Sequence, residues 1–257
     1  MVDQALLIDW LTLRIGLGPS LGNALTQRIR ECCNTVHCCN STGELVWSKK
    51  SLDIDALRSD TPGICWMMQS DGKEEYLVIG ASPASLEHGL NVFGSLDVQH
   101  CARVLIERAG KALNAVLPGF RFWQCQRIDI TGNYVLPDAA SVKQALRQLS
   151  LADGGRRRAT TKARGGDSVY WNPSSDLVKG KAYHKGPQMA YLRRKGVLDV
   201  SDDLISLGDR LLRLEHTRAA RFFRELRQAG KWWWDLTKEQ LTGYFMDFFG
   251  PVTGGVR

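Results

Sequence analysis

Lys181, Tyr183 and Lys185 alternate along the segment KAYHK at 181–185. In a strand, alternate side chains share one face, so this spacing sets a phenol between two ammonium groups. Such a set suits attack on a phosphodiester. The cations bind the phosphate, favour the phenolate and offset the charge that develops in the transition state. The same spacing fits an edge-strand tyrosine whose lysines keep the strand soluble. Tyr170 is the rival nucleophile. SVYW at 168–171 and VKGKAYH at 178–184 read as a hairpin across NPSS at 172–175, which brings Tyr170 near the same phosphate.

Two further segments repeat one pattern: RIDIT at 127–131 and RLEHT at 213–217. As strands, each sets Arg, acid and Thr on one face and aliphatic residues on the other, with His216 opposite Glu215. Two carboxylates on neighbouring strands, Asp129 and Glu215, make a hard-cation site for Mg2+ or Mn2+. Such an ion would polarise a phosphate oxygen near Tyr183. The plainer reading is two Arg–carboxylate pairs on a half-exposed sheet, which are common and contribute little.

The elements that must carry these residues are legible in part. Residues 6–15 alternate as a first strand, ended by GLGP at 16–19. Residues 22–33 read as a helix, and 43–47 and 63–68 as strands. The turn QSDG at 69–72 pairs 64–68 with a strand over 75–81. Ser82 caps a short helix with Pro83 at its first position and Gly89 at its end. A long amphipathic helix follows over 96–117, then a strand over 120–131 that buries Phe122 or Trp123. Asp138 caps a helix to Leu151 whose Val142, Leu146 and Leu149 recur at helical spacing. Residues 152–166 are rich in glycine and positive charge. They read as a solvated loop that orders on DNA, with Arg156, Arg157, Arg158, Lys162 and Arg164 on phosphates. A short helix from Pro187 carries Arg193, Arg194 and Lys195. Helix over 202–207, strand over 211–217 and a basic helix over 218–228 complete the body. The tail from Lys231 is aromatic; it suits stacking on single-stranded bases and, more commonly, packing of a C-terminal helix, which is the expectation here.

The chain has 257 residues and a formal charge of +7, with a pI near 9.1. That is enough for one large domain or two small ones, and the charge points towards nucleic acid or another anionic surface. Asp3, Asp9 and Arg14 interrupt the opening segment, so it reads neither as a secretory signal nor as a membrane span. Seven cysteines without such a signal fit a reducing cytoplasm, and the odd count argues against a complete disulfide framework. Cys32, Cys33, His37, Cys38 and Cys39 crowd into CCNTVHCC. Adjacent cysteines point to opposite sides of a strand and the run lacks C-x-x-C, so these read as small hydrophobes on a helix end or hairpin rather than a zinc site. A P-loop is absent, which argues against ATP hydrolysis.

Several of these segments, in order, resemble the replication initiator family of filamentous phages, the gene II proteins. They are IDWLTLR at 8–14, ASPA at 81–84 with NVFGS at 91–95, RID at 127–129, VYWN at 169–172, AYHK at 182–185 and LRLE at 212–215. The resemblance runs over nearly the whole chain. It implies a site- and strand-specific endonuclease that starts rolling-circle replication. The enzyme nicks the origin, stays joined to the 5′ phosphate through tyrosine, and later rejoins the displaced strand. Tyr183 takes the tyrosine's place with Lys185 beside it, Mg2+ is the expected ion, and origin DNA, a host helicase and a host polymerase are the expected partners. The family's Gly-His-Asn before Val-Phe-Gly is here Gly89-Leu90-Asn91. His88 then stands in as a metal ligand from a shifted position, or the site lacks it. The His-hydrophobic-His pair of the wider tyrosine-nuclease class is absent.

The reading is therefore an α+β fold: a mostly antiparallel central sheet carrying Asp129, Tyr183 and Glu215 on one face, with helices on the other. Residues 1–231 form the nuclease domain. Residues 232–257 form an aromatic helix and tail; the longer family proteins carry a further C-terminal part, so the expectation is either a nuclease-domain fragment, with this tail as the start of that part, or a short homologue. Location in the host cytoplasm and no membrane association are expected. The competing functions are a DNA-binding module without catalysis, which would use the Arg156–Arg164 arm and the Arg193, Arg194 and Lys195 cluster, and a metal-dependent nuclease that uses water, with Tyr183 structural.

Overall fold

The computed structural model describes residues 6–32, 35–52, 54, 57, 61, 63–152, 159–161, 168–196 and 199–253. Among them are ten strands and eight α-helices, the expected α+β composition. The chain divides into two compact units. One comprises Ile8–Ile128 and Phe223–Thr237, the other Met1–Leu7, Asp129–Phe222 and Lys238–Arg257.

The first unit holds β1 (Leu7–Gly16, from residue 8 on), helix α1 (Asn23–Glu31), β2 (Thr35–Cys39), β3 (Leu45–Lys50), β4 (Ile64–Ser70) and β5 (Glu75–Ala81). Their order across the sheet is β3-β2-β4-β5-β1, and each neighbouring pair is antiparallel. The turn expected at 69–72 does join β4 to β5, with Ser70 opposite Glu75. One face closes over Trp10, Val36, Cys38, Cys65, Tyr76 and Val78. The short α2 (Pro83–His88) forms for the local reasons its sequence supplies. Ser82 Oγ accepts the Ser85 amide, Pro83 opens the helix and Gly89 closes it at φ 75. Asp97 caps α3 (Val98–Leu113) by accepting from the Gln99 and His100 amides. This helix ends at Leu113, where Asn114 turns left-handed, short of the end of the amphipathic pattern at Leu117.

The cysteine-rich stretch takes both expected settings: Cys32 caps the end of α1, and Cys38 and Cys39 lie in the β2–β3 hairpin. Thr35 to Cys39 is a strand between β3 and β4, with Cys38 and Cys39 buried and Cys38 opposite Cys65. His37 stacks on Trp66 at 4.4 Å. Cys33 lies outside the described residues.

Strand β6 (Gln124–Val135) starts four residues later than its sequence reading. Phe120–Phe122 is instead a single 3-10 turn, which leaves Phe122 exposed and turns Trp123 inward. Residues 124–128 of β6 belong to the first unit and 129–135 to the second. The second unit continues with α4 (Ala139–Leu151), β7 (Ala159–Thr161), β8 (Ser168–Trp171), β9 (Val178–His184), α5 (Lys185–Arg194), α6 (Asp202–Asp209) and β10 (Leu211–Arg218). Then follow α7 (Ala220–Gln228), which runs across the unit boundary, and α8 (Lys238–Phe249). The strand order is β6-β10-β9-β8-β7. The expected hairpin of β8 and β9 forms. The glycine-rich loop is not wholly loop: Ala159, Thr160 and Thr161 pair with Trp171, Tyr170 and Val169.

Behind this sheet α8 seats Phe248 against the backbone of Gly180 and against the His216 ring (4.6 Å), while Phe249 meets Trp171 edge-on. A Cβ at Gly180 would lie 2.0 Å from the Phe248 ring. That ring is itself buried among Phe249 and His216, so it cannot swing clear. Gly180→Ala is therefore expected to destabilise the protein by roughly 1–3 kcal/mol, read as a lower urea midpoint. The double variant with Phe248→Leu should recover part of the loss, and an unchanged midpoint in Gly180→Ala would contradict this packing.

Candidate active site

Tyr183 lies in β9 opposite Arg213 of β10, and Lys181 lies opposite Glu215. On the other side of β9, Ser168 faces Tyr183 and Tyr170 faces Lys181. Directly opposed residues project to the same side of a sheet, so Tyr170, Lys181, Tyr183, Arg213 and Glu215 share one face. The opposite face carries Gly180, Ala182 and His216, of which Gly180 and His216 meet Phe248 of α8. The period-2 reading of both strands thus holds through His184.

At that point β9 ends. His184 takes the N-cap position of α5 and Lys185 is the first helical residue, so Lys185 does not share the strand's alternation. The Gly186–Pro187 pair explains the break, because proline suits the first helical turn and cannot donate to a strand ladder. Lys185 nonetheless stays near the cluster. It is buried, its Nζ donates to Gln188 Oε1 at 2.7 Å, and its charge acts on Glu215.

The Tyr183 hydroxyl donates to Glu215 Oε1 at 2.7 Å. Arg213, with no exposed surface, donates from Nε to the same oxygen at 3.2 Å and from Nη1 to Asn133 Oδ1 at 3.2 Å. Lys181 Nζ stands 3.8 Å from Glu215 Oε2 and 3.8 Å from the centre of the Tyr183 ring. Burial alone would push the Glu215 carboxyl up. Lys181, Arg213, the phenol hydrogen bond and Lys185 outweigh it and hold the carboxyl at about 2. Three cations around one carboxylate leave a positive field that favours a further anion, either a phosphate or a phenolate.

Asp129 is buried on β6, and its Oδ1 accepts from Thr217 Oγ1 at 2.7 Å. The acid–Thr pairing visible in the two repeated segments is thus made between strands. Among the described residues no group of three or more His, Cys, Asp and Glu converges. Mg2+ does not require one, since it is commonly held by one or two carboxylates together with substrate phosphates. Asp129 fits that pattern. Glu215 fits it less well, because both its oxygens already face cations or the phenol. His88 occupies the exposed last residue of α2, in the other unit from Asp129 and Glu215. Asn91 of the same motif has a partner of its own, with Nδ2 donating to Asp9 Oδ1 at 2.7 Å.

Arg193 and Arg194 form the exposed last turn of α5 and Lys195 caps it, with Arg193 paired to Asp202. Arg156, Arg157, Arg158, Lys162 and Arg164 lie outside the described residues. Sequence reasoning did not single out Arg213 or Asn133 as site residues. Arg213 was visible as part of the repeated Arg-x-acid pattern, whereas Asn133 carries no local signal. No helix among the described residues is long and apolar enough to cross a membrane.

These features define an α+β protein with a tyrosine-centred, cation-lined site on an antiparallel sheet. The chain belongs to the family described as replication-associated protein (the gene II protein), N-terminal, which its residues 7–236 match. It is 28% identical over 153 residues to the replication-associated protein of Enterobacteria phages fd, f1 and M13. That alignment covers 58% of this chain and 37% of the length of each of those proteins. A solved rolling circle replication initiator protein from Geobacillus stearothermophilus aligns over 98% of this chain and 97% of its own, at a TM-score of 0.38 and 12% identity.

Proposed function

We propose that the chain is a site- and strand-specific DNA endonuclease that starts rolling-circle replication of a phage genome in the host cytoplasm. The observation that carries this reading is the Tyr183 phenol, which lies under Lys181 and is bonded to Glu215, a carboxylate surrounded by Lys181, Arg213 and Lys185. Membership of a replication-associated family supports it.

In the proposed reaction the Tyr183 oxygen attacks the scissile phosphorus. A P–O bond to tyrosine forms, the P–O3′ bond breaks, and the departing 3′ oxygen takes up a proton to become the primer hydroxyl. The phenol gives up its own proton, and Glu215 Oε1 is the acceptor already in contact. A carboxyl held at about 2 is a weak base. Activation therefore rests chiefly on the cations that stabilise the phenolate and the phosphate. The phosphotyrosine keeps the energy of the broken bond, so rejoining the strand needs no ATP. A divalent ion, Mg2+ or Mn2+, is proposed at Asp129, where it would polarise a phosphate oxygen. Origin DNA is the proposed substrate. A host helicase and polymerase are the proposed partners, by resemblance.

The test is incubation with supercoiled DNA carrying the candidate origin and Mg2+, followed by a denaturing gel before and after protease. A nicked product whose 5′ end carries protein is expected. A free 5′ end would replace this mechanism with water attack, and intact DNA in both Mg2+ and Mn2+ would leave a binding protein without catalysis.

A further inference from the structure

Away from Tyr183, the first unit holds a second place suited to nucleic acid. The 3-10 turn Phe120–Phe122 and the segment from α7 through the 3-10 turn Trp233–Asp235 enclose a cleft of about 220 Å3. One water molecule needs only ~10–15 Å3 of such space, so the cleft has room for more than a single water. Its floor is fixed. Trp233 Nε1 donates to the Trp123 carbonyl at 2.8 Å, and Trp123 Nε1 to the Pro118 carbonyl at 2.9 Å. Both of these indoles are buried and serve packing, which for Trp233 is the role expected of the aromatic tail.

Two other aromatics are left largely in solvent. Phe122 is 69% exposed and Trp232 is 47% exposed. Trp232 lies flat on Trp234, with ring centres 4.9 Å apart and planes 6° apart, so the pair already has the geometry of a stack. Arg121, Arg227 and Lys231 line the same cleft, and none of the three forms an ion pair among the described residues. Large exposed rings beside unneutralised cations match one chemistry well: bases that stack on the rings and phosphates that meet the cations.

We propose that this cleft binds unpaired nucleotides of single-stranded DNA, with a base against Trp232 or Phe122 and the backbone along Arg121, Arg227 and Lys231. The inference rests on the reading of the chain as a DNA enzyme, but it does not use Tyr183 chemistry. It gives the displaced or freshly melted strand a holding point, and it predicts tolerance of sequence, since every base has a stacking face.

The test measures anisotropy of a labelled thymidine oligomer of about 12 nucleotides, and of an abasic oligomer with the same phosphates, on the full chain. Trp232→Ala and Phe122→Ala are each expected to weaken the thymidine oligomer by roughly 5- to 100-fold. The abasic oligomer should bind wild type as weakly as thymidine binds the variants. Two variants on different segments, with melting curves checked, separate lost stacking from lost fold. Equal binding of the two oligomers by wild type, or thymidine binding unchanged in both variants, would overturn the proposal. The protein–DNA adduct is scored on the same samples. Adduct formation with oligomer binding insensitive to Trp232 would remove the cleft alone. Stacking-dependent binding without an adduct would keep the cleft and remove the nicking mechanism.

Discussion

Tyr183→Phe is expected to abolish the protein-linked 5′ end and to lower nicking by roughly ten-thousand-fold or more, the scale on which a covalent nucleophile is lost. The change deletes one oxygen and leaves the ring under Lys181. Its stability cost is set by the hydrogen bond to an ionised Glu215, about 1.5–3 kcal/mol. A melting curve shows whether the variant is folded at the assay temperature. The rival is well defined. Tyr170 is the diagonal neighbour of Tyr183 on the same face and stands directly opposite Lys181. If the adduct persists in Tyr183→Phe and disappears in Tyr170→Phe, the nucleophile is Tyr170. If Tyr170→Phe leaves the adduct intact, as expected, the reaction belongs to Tyr183.

Glu215→Gln should have the second-largest effect, on stability and its pH dependence. Glutamine keeps the volume and removes the charge, which leaves Arg213 and Lys185 buried with their counter-ion gone. Breaking a buried pair from one side costs about 3–5 kcal/mol. The pH dependence gives an independent signature. The folded carboxyl sits at about 2, below its ordinary value of 4.5. Its contribution is thus fully present above the ordinary value and is lost as pH falls from there through about 2. Wild type should show that acid limb in urea midpoints, and Glu215→Gln should start lower and lack it. Equal midpoints at neutral pH, or an acid limb of the same size in both proteins, would show that Glu215 is not the counter-ion of this cluster.

Much of this site was legible because strands have a period of two. That period predicted Lys181 and Tyr183 together, Arg213, Glu215 and Thr217 together, and His216 on the far side, where it meets Phe248. The hairpin of β8 and β9 followed from its turn residues, and α2 from its cap. The misses have physical causes as well. Lys185 looked like the next strand position, but Gly186 and Pro187 favour a helix start. The strand within the glycine-rich arm, Ala159–Thr161, is stabilised by pairing with β8 and not by its own composition. Phe122 and Trp123 are adjacent aromatics that local pattern cannot rank; the turn at Phe120–Phe122 decides which one is buried. Asn133 meets Arg213 across 80 positions of chain, a contact that no short window contains.

The seat of Phe248 on Gly180 also bears on where this protein can be cut. The family match closes at residue 236, yet α8 begins at Lys238 and supplies the aromatic backing for the strand that bears Tyr183 on its other side. A boundary drawn from sequence similarity would keep every residue named in the proposed chemistry and discard what supports them from behind. Any shortened version meant to keep the Tyr183 strand supported should therefore extend at least through Phe249.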